Sequence, residues 1–518
     1  MFGGYVCLIG AGPGHSGWIT RQGLAYLRRA DVVFYDHLVA AALLLETKPD
    51  CRRIAMGKQG GGPAVAQATI HQALINEARS GNFVVRLQGG DPFLFGRGGE
   101  EAKALVAAGV PYLVVPGISA SLSVPASAGI PVTQRHVAAG VVIRTGHRAE
   151  PAAVEEPLTQ VVLMSLTRLP EITADLLRQG VPAPTPAAVI SKGSTPFQTE
   201  LVGTVATIAA VVAAASPPAP ALLVVGAAVG LAQELQWRSN LPLAGRRILW
   251  TRPVSENETP LLEELELLGA ELVRLPLFWV RPVSDALAPA RLAKLAACDW
   301  IVFTSQNAVR IFFQGLLAAG YDWRYLHACR IAVVGAKTGA ALRERGRNPD
   351  LIGSEGHSKG LLQQLLENLQ PREQVALCQA EQALPYLADG LTAAGVAFTR
   401  LSLYDLETPD YPAELVGKVF QERYGLVVLT APVAVRNYFR LLQSHAIQIA
   451  ANPLFACLGA ETVAELQRVG HPAWLVPDRP TVAALVRSIL QQWGVDTDVS
   501  DHPFAPVAAD AATSGITG

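Results

Sequence analysis

Short β-branched runs alternate with Ala- and Leu-rich amphipathic stretches through the first half of the chain, and no other feature restricts the fold as much. Tyr5–Ile9, Asp31–Tyr35, Phe83–Leu87, Tyr112–Val115, Val141–Arg144 and Val161–Met164 read as strands. Thr20–Arg29, Val65–Arg79 and Glu100–Ala108 read as helices between them. Such alternation builds an α/β fold with buried sheet strands. A chain of 518 residues is too long for one core; taking ~150 residues per domain implies three to four. The pattern breaks at Gln236–Gly245, a polar stretch with one proline that reads as a linker, and the strand Arg247–Thr251 opens a new unit. The expected division is residues 1–240, residues 245–494, and a tail at 495–518 that lacks periodicity and reads as disordered.

Composition narrows the class of partner. Half the residues are hydrophobic and 16% are charged, which is globular material. The net charge is −1, without a basic block, so nucleic acid is excluded as the main partner. A small acidic ligand, which needs only a local patch, is not. The six cysteines, at 7, 51, 298, 329, 378 and 457, are scattered and read as buried thiols in a reducing compartment. The start of the chain lacks the basic opening of a signal peptide, and Val205–Ala215 is too short to span a bilayer. The cytoplasm is the expected location, with no membrane partner. Neither the cysteines nor the histidines show metal-ligand spacing, so no metal is expected.

The second half repeats itself. Phe303-Thr304-Ser305 and the residues through Arg310 resemble Leu429-Thr430-Ala431 and the residues through Arg436. Val333–Thr338 resembles Cys457–Thr462. The offsets nearly agree, 430 − 304 = 126 and 459 − 335 = 124, which implies two similar α/β lobes. Each copy is a strand, a small-residue turn and a helix start, and helix N-termini suit anionic ligands. On spacing alone, a shared ligand cleft and a bare duplicated scaffold stand level.

Three glycine-bearing loops follow strands in the first half: Gly10–Gly14, the dense run Gly89–Gly99, and Pro116–Ala120. Glycines let backbone approach a ligand closely, and together they mark a pocket at the carboxyl edge of the sheet. Pro13 inside the first loop is a poor fit to a dinucleotide site.

The segments GAGPG, ADVVFYDHLV, MGKQGG, RLQGGDPFLFGRGGEE, VVPGISA, AGIPVTQR, TGH and VVLMSL run in order along the first ~240 residues. They resemble the tetrapyrrole methylases, most closely the uroporphyrinogen-III C-methyltransferases. The resemblance implies S-adenosylmethionine as cofactor, with Pro13, Gly89, Gly90, Asp91, Leu94, Ser119, Ala120, Met164 and Gly193 on its contact positions. It implies Asp36 as proton acceptor and Lys58 as proton donor; without it, Asp36 reads as a polar residue closing a strand. Arg97 and Arg135 become candidate anchors for the substrate's carboxylates, with Arg144 and Arg148 behind them. A homodimer through this half is implied as well. The chain departs from the family pattern at His15, His37, Gln88, Gln134 and His136, so a domain that only binds cofactor or dimerises is the alternative.

GRRILWTRP, DWIVFTSQNAVRIFF, IAVVGAKTGAALRERG, GHSKGLLQQL, LSLYDLE, VVLTAPVAV and ACLGAETVAEL resemble uroporphyrinogen-III synthase. That resemblance implies two lobes joined by a β-ladder, the first discontinuous and resuming after Tyr404. Tyr404 falls on a tyrosine that assists hydroxyl departure; an aromatic packed in the ladder is the plainer reading. Thr304, Ser305, Thr338 and Thr462 would bind carboxylates, and Ala431 stands where a serine is usual. The expectation is therefore a two-lobed α/β methylase followed by a two-lobed α/β synthase. It would cyclise hydroxymethylbilane to uroporphyrinogen III and methylate that to precorrin-2, in the sirohaem/cobalamin branch, with each half folding and working independently.

Overall fold

The computed structural model of the chain describes residues 4–56, 66–146, 158–254, 258–284, 286–354, 358–448 and 453–495. These residues build four sheets. The first contains β1 (Tyr5–Gly10), β2 (Val32–Tyr35), β3 (Arg52–Ala55), β4 (Phe83–Gln88) and β5 (Tyr112–Val115), all parallel, in the order β3-β2-β4-β1-β5. The second contains β6 (Gly140–Thr145), β7 (Leu158–Leu163), β8 (Pro186–Ser191), β9 (Thr199–Thr204) and β10 (Ala221–Val225) in the mixed order β6-β7-β10-β8-β9.

The central strands are continuous apolar runs because helices cover both faces of a parallel sheet. The helix Gln67–Arg79 shows how the sequence arranges this. Ile70, Leu74 and Ala78 recur every fourth residue, and that stripe packs on Val6, Leu8, Val32 and Val84. Full burial of such a side chain contributes about 1.5–3 kcal/mol. In the first sheet the chain leaves β1 toward β2 and leaves β4 toward β5, in opposite directions. The crevice between the carboxyl ends of β1 and β4 is thus a topological switch point, where ligands of open α/β sheets bind.

The second half supplies β11 (Arg247–Trp250), β12 (Glu271–Arg274), β13 (Trp279–Pro282), β14 (Trp300–Phe303), β15 (Arg330–Val333), β16 (Leu351–Ile352), β17 (Val375–Ala380), β18 (Phe398–Glu407), β19 (Leu426–Leu429) and β20 (Leu454–Cys457). They form a parallel sheet β12-β11-β19-β20 and a sheet β13-β18-β17-β14-β15-β16, whose one antiparallel pair is β13 with β18. The two lobes are not simply consecutive. One is inserted into the other, so the chain divides into one unit of residues 1–275 and 411–518 and a second of residues 276–410.

The segment read as a linker is ordered and docked. Leu243 is fully buried with Ile248, Leu268 and Leu272, and its N–H donates to the Leu268 carbonyl at 2.9 Å. Trp237 Nε1 donates to the Ala126 carbonyl at 2.9 Å, and the Arg238 guanidinium bonds the Thr195 carbonyl. Leu243, Trp237 and Arg238 together seat it. Residues 147–157, including Arg148, and the tail beyond 495 lie outside the described residues; Val495 itself packs against the core of the β11 sheet. All six cysteines are buried free thiols, and no described helix is long and apolar enough to cross a membrane.

Candidate functional site

The glycine loops of the first sheet are laced together at the switch point. Gly12 and Gly90 exchange backbone hydrogen bonds, at 3.2 and 3.0 Å, and the Ala11 N–H donates to the Gln88 carbonyl at 2.8 Å. A Cβ on Gly10 would stand 2.4 Å from the Gly117 Cα, so the β1 and β5 loops touch backbone to backbone. Asp91 ties the same loops, its carboxylate accepting from the N–H groups of Phe93 at 2.8 Å and Gly117 at 2.9 Å.

Gly90 differs from its neighbours. It holds φ +73°, and a Cβ there would meet nothing closer than Ala120 N at 3.9 Å and Ser119 Cα at 4.0 Å. Backbone conformation and open space coincide, which is how a chain makes a cradle for a ligand. Ser119 caps the helix Ala120–Ser127 beside it, its Oγ accepting from Ser121 N. The β1 loop also reaches the second sheet, since a Cβ on Gly14 would meet the Gly193 carbonyl at 2.7 Å. The structure therefore gathers Pro13, Gly89, Gly90, Asp91, Leu94, Ser119, Ala120 and Gly193 on interlocking loops. Met164 lies at the end of β7, half-exposed at φ +57° and packed on Gly146.

Asp36 ends β2 at the rim of these loops. Its N–H donates to the Leu87 carbonyl at 3.2 Å, and Leu38 beside it faces Gly89. Its Oδ1 accepts from Arg86 Nη2 at 2.5 Å. Arg86 is 4% exposed and also donates through Nε to Glu101 Oε1 at 3.0 Å, with Glu101 1% exposed. Burial pushes the Glu101 carboxyl up, opposed by Arg86. A buried guanidinium shared by two carboxylates gives Asp36 one fixed direction. The sequence reading missed Arg86 and Glu101. The available signal was a charge in the apolar run Phe83-Val84-Val85-Arg86-Leu87, where only a paired charge survives burial. Lys58 lies outside the described residues.

The departures from the family pattern find local uses. His15 Nδ1 accepts from the Gly17 N–H at 3.0 Å, capping the short helix Ser16–Trp18, and burial lowers its pKa. Gln88 is fully buried, its amide donating to the Gly96 carbonyl at 2.9 Å and to Glu101 Oε2 at 3.0 Å. It braces the loop from beneath. Gln134 and His136 shape an exposed turn, closed by Gln134 N to the Ala138 carbonyl at 3.1 Å, with His136 at φ +65° and Arg135 between them. Arg97 is exposed and holds Glu100 of its own helix at 2.6 Å.

In the unit 276–410, Ser305 caps the helix Gln306–Ala318, its Oγ accepting from Ala308 N at 3.0 Å. The same Oγ lies 2.9 Å from the Tyr404 hydroxyl. Tyr404 is buried on β18, and that burial raises its pKa. Thr304 ends β14, and Thr338 is buried in the first turn of the helix Ala336–Arg343. The other unit carries the matching positions. Ala431 (φ −154°, ψ 153°) repeats the backbone of Ser305 (φ −159°, ψ 160°), and Gly459 (−164°, 174°) repeats Gly335 (−175°, 178°). Thr462 is buried like Thr338. The internal repeat read from sequence is thus present at these helix starts, although Ala431 lacks the side-chain cap that Ser305 makes.

A family model of the tetrapyrrole (corrin/porphyrin) methylases matches residues 5–209, and one of uroporphyrinogen-III synthase HemD matches residues 259–487. A porphyrin biosynthesis protein HemD of Ruminiclostridium josui is 31% identical over 506 residues, covering 95% of this chain and 98% of that one. Siroheme synthase 1 of Cronobacter sakazakii is 46% identical over 241 residues, covering 45% of this chain and 51% of its own, so this chain spans about half of that relative's length. Among solved structures, a uroporphyrin-III-C-methyltransferase of Thermus thermophilus is 36% identical and covers 46% of this chain and 98% of its own, with a TM-score of 0.40.

Proposed function

The chain belongs to the family in which a tetrapyrrole methylase is joined to a uroporphyrinogen-III synthase, and on that premise we propose that it carries out both reactions in succession. The synthase half cyclises hydroxymethylbilane to uroporphyrinogen III. The methylase half then transfers two methyl groups from S-adenosylmethionine to give precorrin-2. The product of the first reaction is the substrate of the second, which is a chemical reason for the two to share a chain.

The residues of the first-sheet crevice fit the cofactor. The open space at Gly90, bounded by Ser119 and Ala120, is a cradle that any Cβ would begin to fill, and Pro13, Gly89, Asp91, Leu94, Met164 and Gly193 are the remaining proposed contacts. A sulfonium methyl group is already activated, so the protein's task is chiefly alignment. The methylated ring must then lose a proton. Asp36 accepts it, and Arg86 keeps the carboxylate aimed while it does so. The observation that carries this reading is the placement of a directed carboxylate at the rim of a glycine-lined cradle. Lys58 is the proposed proton donor, with Arg97 and Arg135 as outer anchors for substrate carboxylates, and the methylase half as the dimerising half.

In the synthase half, the Tyr404 hydroxyl, paired with Ser305, assists departure of the substrate's hydroxyl. Thr304, Ser305, Thr338 and Thr462 mark the helix starts whose N–H groups receive carboxylates. The proposed location is the cytoplasm.

The test is Asp36→Asn in the full chain, supplied with uroporphyrinogen III and S-adenosylmethionine. Turnover should fall ~10²–10⁴-fold, the usual effect of losing one general base, while cofactor affinity stays within twofold or so. Undiminished turnover would show that Asp36 only closes its strand, and loss of cofactor binding would show that it shapes the cradle.

A further inference from the structure

The helix Ala413–Val419 belongs in sequence to the synthase half, yet it packs on the helix Ala41–Leu45 of the methylase half. Two of its polar residues reach the end of β2. Lys418 Nζ donates to the His37 carbonyl at 2.7 Å and lies over the Tyr35 ring, 5.6 Å from its centre. Glu414 Oε1 accepts from the Tyr35 hydroxyl at 2.8 Å. Residues four apart share a helix face, so Glu414 and Lys418 together grip the residues on either side of Asp36. The turn they hold is tight, with the Val39 N–H donating to the Asp36 carbonyl at 3.1 Å.

We propose that Lys418 is a positioning residue of the methyl-transfer site: contributed by the synthase half, it fixes the Asp36–His37 turn and sets a positive charge beside the proton-accepting carboxylate. The proposal rests on the reading of Asp36 given above. On this proposal the synthase half contributes to the methylation step, with the fixing group arriving from nearly four hundred residues further along the chain. Arg86 meets the Asp36 carboxylate from the sheet, while Lys418 secures the peptide that follows it.

The charge on Lys418 is conditional. Burial pulls its pKa down to about 8, with Glu414 and Asp36 opposing the shift. The groups facing it are Glu414 on its own helix and Tyr35, Asp36 and His37 on the opposing strand end. As pH rises through about 8 the ammonium gives up its proton, and the cation next to Asp36 is lost. Methyl transfer by the native chain should therefore decline on the alkaline side of that value.

The experiment compares the full chain with Lys418→Met and Lys418→Arg, using uroporphyrinogen III and S-adenosylmethionine. Removing a charged hydrogen-bond donor corresponds to roughly ten- to a hundredfold. Lys418→Met should lower kcat by that factor, leave the KM for S-adenosylmethionine unchanged, and lose the alkaline decline. Lys418→Arg should restore most of kcat and hold it past the pH at which the native chain declines. Cyclisation of hydroxymethylbilane should be the same in all three, which also reports folding. Amide exchange at Val39, whose N–H bonds the Asp36 carbonyl, should quicken in Lys418→Met alone. Unchanged kcat and pH profile in Lys418→Met, or an arginine variant as slow as the methionine variant, would overturn the proposal. If the native chain transfers no methyl group, the functional reading fails instead, and exchange at Val39 still decides whether Lys418 holds the turn.

Discussion

The crevice of the first sheet and the helix starts of the second half solve the same problem with different materials. Both face acidic tetrapyrroles in the proposed function. The crevice is made of glycine backbone braced by the buried pair Arg86 and Glu101, with the half-buried Asp36 held at the rim. The inserted lobe instead uses a hydroxyl pair, Ser305 with Tyr404, at a helix N-terminus. The contrast follows from the chemistry. A site that removes a proton from a ring needs one carboxylate with a fixed direction, and a charge-assisted bond to a buried guanidinium supplies it here. A site that loses a hydroxyl and steadies a cation needs neutral groups that do not compete with it. The first site should therefore fail abruptly and the second gradually.

The largest expected effect is at Gly90. In Gly90→Leu the side chain would enter the open space near Ser119 and Ala120, on a backbone at φ +73° that leucine rarely adopts. Calorimetry should show binding of S-adenosylmethionine abolished, with the cyclisation rate unchanged. Retained binding would place the cofactor elsewhere and end the contrast. A smaller effect is expected from Tyr404→Phe, which removes the 2.9 Å bond to Ser305 but keeps the ring. A net hydrogen bond is worth about 0.5–1.5 kcal/mol, so cyclisation should slow by up to about tenfold, with methyl transfer from supplied uroporphyrinogen III untouched. An unaltered rate would make Tyr404 a packing aromatic. The smallest effect is at Ala431, the uncapped counterpart of Ser305. Ala431→Ser should supply the missing cap and raise stability by about 1 kcal/mol, seen as a higher melting temperature. No gain would mean that the two helix starts differ in more than the cap.

The two regions were also unequally legible in the sequence. Glycine leaves a dense mark, so the loops around Gly10, Gly90 and Gly117 point to a pocket in the sequence itself. The repeat could be read because strand-turn-helix starts keep their spacing, and Ser305 and Ala431 do share one backbone conformation. Arg86 was visible only as a misplaced charge in an apolar strand. Gln88 and His15, two of the departures from the family pattern, are a loop brace and a helix cap; residue type alone does not reveal which way a side chain faces. The seating of Arg238 and Leu243 was hidden because a polar, proline-containing stretch reads as linker whether or not its few apolar residues are buried. Lys418 gave no signal at all, since a lysine on an amphipathic helix looks solvated until the partner surface is known.

On the proposed function, one chain makes and then methylates its own tetrapyrrole. Supplying the full-length protein with hydroxymethylbilane and S-adenosylmethionine together, and reading the isomer and mass of the product, tests this most directly. The expected product is the type III ring carrying two added methyl groups, with the unmethylated type III ring formed at the same rate when the methyl donor is withheld. Type III ring left unmethylated in the presence of donor would contradict the methylase assignment, and type I ring would contradict the synthase assignment.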